Sequence, residues 1–119
     1  MNVVLWIVAG LLALAFLAAG LLKLLQPKEK LAKSGLAWTE DFSAGTVKLI
    51  GGLEVLGALG LVLPRLLNIA PVLVPLAALG IALIMVGAIV THARRREVQP
   101  IVINVVLLAL AVFVFFGRL

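Results

Sequence analysis

Four stretches of this chain are close to twenty residues of nearly unbroken apolar side chain, at 3–22, 45–63, 70–91 and 101–116. About 20 such residues in a helix cross the ~30 Å hydrocarbon layer of a bilayer. A small soluble domain leaves much of its surface in water and could not hide them all. The chain is 65% hydrophobic and 13% charged, whereas soluble domains run near 45–50% and 25%. The predicted fold is therefore all-α: a membrane protein forming one four-transmembrane-helix bundle over residues 1–119. No basic stretch precedes the first run and no small-residue cleavage site follows it, so it reads as a retained helix and not a signal peptide. The fourth run is the shortest and suits a bundle edge or a thinned bilayer.

The breaks between runs carry the boundary signals. Pro64 is expected to close the second helix, while Pro71, Pro75 and Pro100 fall in first turns, where a missing N–H costs little. The connections at 64–68 and 92–100 are short, which makes the helices they join antiparallel neighbours. The loop at 23–44 is longer and basic. Within it, Lys28-Glu29-Lys30-Leu31-Ala32-Lys33 predicts a short interfacial helix, with Leu31, Leu36 and Trp38 facing lipid. Thr39-Glu40-Asp41 predicts an N-cap and an acidic first turn for the second span.

The net charge of +5 is not a nucleic-acid signal, because the cations cluster at the ends of apolar runs, where anionic lipid headgroups lie. With four spans, the first and third loops share a side. Lys23, Lys28, Lys30, Lys33, Lys48, Arg94, Arg95 and Arg96 lie there, and only Arg65 and Arg118 lie opposite. That bias predicts loops one and three in the cytoplasm and both termini outside. With no cysteine there is no disulfide and no thiol chemistry, and a lone histidine predicts no metal site.

Small residues mark the packing faces. Gly20 on the first helix, Gly51, Gly57 and Ala58 on the second, and Gly80 and Gly87 on the third are the expected contact positions. Helices associate in lipid by close backbone approach at such stripes. The same stripes serve internal packing or self-association into a homo-oligomer, and sequence does not choose between them.

Ionisable groups inside hydrocarbon are costly and suggest function by default. Glu54 lies nine residues into the second run, about 14 Å along the axis at 1.5 Å per residue. Gly51, Gly57 and Ala58 flank it, so it is expected to face the bundle interior with no charged partner at its depth. Such a carboxyl either hydrogen-bonds a neighbouring carbonyl or meets water, a proton or a ligand. Lys23, Lys48, His92 and Asn104 lie in the same half of the bundle. Singly, the lysines read as snorkelling to headgroups, His92 as a helix-capping residue and Asn104 as an interhelical hydrogen-bonder. Together with Glu54 they predict a shared cavity, though Glu54 and His92 differ in depth by roughly 12 Å and are not expected to touch. Trp6, Trp38, Phe113, Phe115 and Phe116 read as interfacial anchors.

Several local patterns occur in a familiar order. Gly20-Leu21-Leu22-Lys23-Leu24 ends the first run, Gly51-Gly52-Leu53-Glu54-Val55-Leu56-Gly57-Ala58-Leu59-Gly60-Leu61 fills the second, and Gly87-Ala88-Ile89-Val90-Thr91-His92 closes the third. This arrangement resembles the DoxX-like family of small four-helix membrane proteins across nearly the whole chain. Gly35-Leu36 falls where that family often has Gly-x-Pro, with Ala37 in place of the proline. The resemblance implies a bacterial or archaeal cell membrane and a link to membrane redox systems, either as a quinone-linked subunit or beside a partner enzyme. It also implies, for distant relatives, an assembly role. Glu54, Lys23 and His92 fall on the recurring polar positions.

The leading expectation is a non-catalytic accessory subunit that binds a quinone or another lipophilic ligand through Glu54, His92, Asn104, Lys23 and Lys48. It would have no covalent cofactor, and its partners would be membrane lipids and a redox protein. An assembly factor that docks other membrane proteins is the alternative. A small multidrug-type transporter ranks third, because those proteins carry their glutamate in the first helix and this first helix has no acid.

Overall fold

The computed structural model describes residues 1–33 and 36–119, without the Asp41 side chain. The Gly35 position noted above lies outside the described residues. The elements are α1 (Asn2–Leu25), α2 (Lys28–Lys33), a 3-10 helix (Ala37–Asp41), α3 (Ala44–Leu66), α4 (Leu73–Arg94) and α5 (Val98–Arg118). Among the described residues there is no strand. The helices α1, α3, α4 and α5 are each long and apolar enough to cross a membrane, and the longest dimension of the molecule, 40 Å, matches a bilayer with its headgroup layers. The protein is an integral membrane protein.

Each span buries one narrow seam. On α1 the buried residues Leu5, Ala9, Leu12, Phe16, Gly20 and Lys23 recur every three or four positions, the spacing that keeps side chains on one helical face. On α3 the seam is Val47, Gly51, Glu54, Ala58 and Leu61. These close on Ala78, Ile81 and Met85 of α4 and on Ala111 and Val114 of α5. The spans pack in a ring: α1 on α3, α3 on α4, α4 on α5, and α5 back on α1. Outside the seams, large apolar side chains such as Leu14, Leu56 and Leu83 are exposed to the surroundings, which in a membrane are lipid.

Backbones touch where glycine allows it. A Cβ on Gly20 would lie 2.6 Å from the Gly51 carbonyl oxygen, and one on Gly51 would lie 2.9 Å from that of Gly20. A Cβ on Gly57 would meet Ile81 at 2.9 Å, joining α3 to α4. Ala58 is buried in the same seam. The expected Gly80 and Gly87 stripe does not pack within the chain. Both glycines are exposed, and a Cβ at either would meet nothing within 4 Å.

The boundaries differ from expectation in instructive ways. α1 runs to Leu25 and carries Lys23 inside its last turn. α3 continues two residues past Pro64, and α4 starts only at Leu73, after a turn in which Asn68 and Ala70 take positive φ. α5 begins at Val98, so Pro100 sits in its first turn. Ser43, not Thr39, caps α3: its hydroxyl accepts from the Thr46 N–H at 3.1 Å. Thr39 is fully buried inside the 3-10 turn and donates to the Leu36 carbonyl at 2.8 Å. The short helix α2 forms where expected, but Leu31 is fully buried and does not face lipid.

Candidate functional site

Glu54 has a charged partner. Lys23 Nζ lies 2.7 Å from Glu54 Oε1, and both side chains are buried. This corrects the expectation of a solitary carboxyl and a snorkelling lysine, and the reason is geometric. In a helix every Cα–Cβ bond tilts toward the N-terminus. α1 and α3 are antiparallel, so Lys23 leans toward the bilayer interior and Glu54 leans back toward the end of the bundle. The Gly20–Gly51 contact sets Lys23 level with Gly51, since a Cβ on Gly51 would fall 2.8 Å from Lys23 Cβ. Three further residues along α3 are about 4.5 Å of rise, which the lysine stem covers.

The same tilt acts on α4 and α5. His92 lies near the C-terminus of α4 and leans inward, while Asn104 lies near the N-terminus of α5 and leans outward. The four residues therefore converge on a cavity of about 490 Å³ that Lys23, Glu54, His92 and Asn104 all line. Apart from Thr91, whose hydroxyl donates to the Gly87 carbonyl at 2.9 Å, its walls are mainly apolar, with Ala15, Phe16 and Ala19 from α1, Ile84, Met85 and Ala88 from α4, and Ile103 and Leu107 from α5. Glu54 and His92 share it without a hydrogen bond between them. A cavity of this size, with apolar walls and a few convergent polar groups, is within the usual range for a small-molecule site.

Each polar group has a distinct status. His92 Nδ1 is 2.8 Å from Glu97 Oε1. The turn after α4 makes that possible: Arg96 takes φ 57°, and the Glu97 N–H donates back to the His92 carbonyl at 2.9 Å, closing a Schellman turn. The hydrogen bond from His92, aided by the nearby Arg95 charge, holds the Glu97 carboxyl below its ordinary range. Asn104 is buried, and its Nδ2 has no hydrogen-bond partner. Lys48 stays outside the cavity lining: its ammonium donates to the Leu24 carbonyl at 3.0 Å and caps the C-terminus of α1.

Trp38 is the residue that sequence reasoning misplaced most. It lines the cavity with Leu36 and Phe42 and is only partly exposed. Its ring centroid is 5.6 Å from Lys23 Nζ. Its edge-on neighbours are Phe42 at 5.8 Å and His92 at 6.5 Å. Residues 36–42 thus cover one end of the bundle and present an aromatic face to the ion pair. Glu97 is the other missed residue, since nothing in its spacing distinguishes it from a solvated loop acid. Among the described residues, no three His, Asp or Glu side chains converge as a metal would require.

A four-helix membrane bundle with a buried cation–carboxylate pair beside an apolar cavity is the class these features define. The DoxX-like family matches residues 7–114, and the chain belongs to that family. No curated protein and no solved structure matches it.

Proposed function

We propose that the protein is a non-catalytic accessory subunit that holds a quinone, or another lipophilic ligand with a polar head, in a membrane redox system. The observation that carries the reading is the cavity itself: an apolar chamber in which Asn104 Nδ2 is buried without a partner beside the Lys23–Glu54 pair. A buried amide donor with no acceptor costs about 1–3 kcal/mol, and a ligand oxygen would satisfy it. Trp38 and Phe16 supply flat apolar surfaces for a ring. The end that holds the cavity carries most of the cations, and we place it in the cytoplasm.

Mass spectrometry of protein purified in mild detergent tests the reading, with Glu54→Gln and Asn104→Leu in parallel. A lipophilic oxygen-bearing molecule should co-purify near one per chain with the native protein and be depleted in both variants. A native protein carrying only bulk phospholipid would sink the proposal. A second reading, an assembly factor that docks other membrane helices, draws on the open face at Gly80. It would gain from the same result together with a stable co-purifying membrane protein.

A further inference from the structure

The opposite end of the bundle holds a second arrangement that the ligand cavity does not involve. Arg118, near the C-terminus of α5, is fixed against α1 by two contacts. Its Nη1 donates to Asn2 Oδ1 at 2.7 Å. Its guanidinium lies 5.6 Å from the centre of the Trp6 ring. Gly117 lets the two helices meet, because a Cβ there would run into the Leu5 side chain. Arg65, at the end of α3, is close enough for its charge to act on Arg118. Among the described residues no Asp or Glu side chain is placed to neutralise them: Glu29, Glu40, Glu54 and Glu97 lie at the other end or inside the bundle. Trp6 also lines a groove of about 500 Å³ between α1 and α3, whose walls include Ile7, Leu11, Leu14 and Leu59. The groove is apolar along its length.

A pair of cations that make no ion pair among the described residues, at the headgroup level and joined through one tryptophan to an apolar groove, has one fitting counterpart in a membrane. We propose that this end binds an anionic phospholipid, with the phosphate between Arg118 and Arg65 and an acyl chain in the groove beside Trp6. Arginine matches a phosphate through its planar fork of N–H donors. Two of those nitrogens remain for a ligand after Nη1 has engaged Asn2. A zwitterionic lipid would bring its own cation next to the arginines, so the site selects for net negative charge. The groove makes a phospholipid, and not a free anion, the occupant.

The full chain reconstituted in nanodiscs of mixed phosphatidylglycerol and phosphatidylcholine tests this, by the lipid retained through re-purification in detergent. Phosphatidylglycerol should be enriched over its bulk share by about fivefold for each cation engaged, and it should raise the thermal midpoint where phosphatidylcholine does not. Arg118→Gln should abolish both effects. Asn2→Ala removes the protein partner of Arg118 but keeps the cation, so it should lower the midpoint and leave the enrichment intact. Equal retention of the two lipids would overturn the proposal, as would enrichment that survives in folded Arg118→Gln. Stabilisation by inorganic phosphate equal to that by phosphatidylglycerol would overturn the assignment to lipid.

Discussion

Lys23 and Glu54 place opposite charges in a medium where each alone would be costly. Breaking one side of a buried pair leaves an uncompensated charge and costs about 3–5 kcal/mol, whereas replacing both partners with apolar residues is often neutral. Lys23→Met should therefore lower the thermal midpoint sharply in detergent, and Lys23→Met combined with Glu54→Leu should recover most of the loss. Equal losses in the single and double variants would show that the pair contributes nothing as a pair. The Glu97 carboxyl makes a pH-dependent contribution of predictable sign. Its folded form binds its proton less readily than the unfolded chain does, so the stabilisation is complete above the ordinary value of 4.5 and fades as pH falls through the lower folded value. The advantage of the native protein over Glu97→Gln should shrink steadily below pH 4.5 in thermal melts, and an advantage that grew on acidification would contradict it. At this scale the sequence was only partly legible. Glu54 stood out because a carboxyl in an apolar run is rare, and it does line the cavity. Its partner did not stand out, because depth counted from Cα positions ignores the tilt of side chains toward each helix N-terminus.

The four spans were readable as elements because unbroken apolar runs near twenty residues long cross hydrocarbon as helices, and their ends were readable to within a few residues. What periodicity could not foresee was the loop between α1 and α3. A run of six residues with one leucine reads equally as a helix on lipid or as a plug. Leu31 and Thr39 are buried only because the bundle end is there to receive them. Glycine is similarly ambiguous, since composition marks a stripe without saying whether anything sits on it. Gly51→Ala would force a methyl to within 2.8 Å of Lys23 Cβ and 2.9 Å of the Gly20 oxygen, and such overpacking costs about 1–3 kcal/mol. Gly80→Ala meets nothing and removes a poor helix former, a gain of up to ~1 kcal/mol. Thermal unfolding of the two variants should thus move in opposite directions. A severe loss in Gly80→Ala would instead reveal a second chain seated on α4.

For the whole molecule, the two ends differ in both charge and architecture. The cavity end carries the covering loop, the ion pair and eight of the ten cations, counting Lys23 within the bundle; the other end carries Arg65 and Arg118. Lys23 is neutralised by Glu54 and Lys48 is held on the carbonyls of α1, so neither is a fully free topology signal. Removing both from the tally leaves Lys28, Lys30, Lys33, Arg94, Arg95 and Arg96 against two, and the bias keeps its direction. A C-terminal reporter that is active only in the cytoplasm should therefore be silent, and one that requires export should be active. Arg94, Arg95 and Arg96 lie together in a short connection, where positive charge weighs most on orientation. Replacing these three with Gln should weaken the bias and yield a mixed population of the two reporters. An active cytoplasmic reporter on the native chain would invert the arrangement, open the cavity to the outer leaflet, and require its ligand and partner to be sought there.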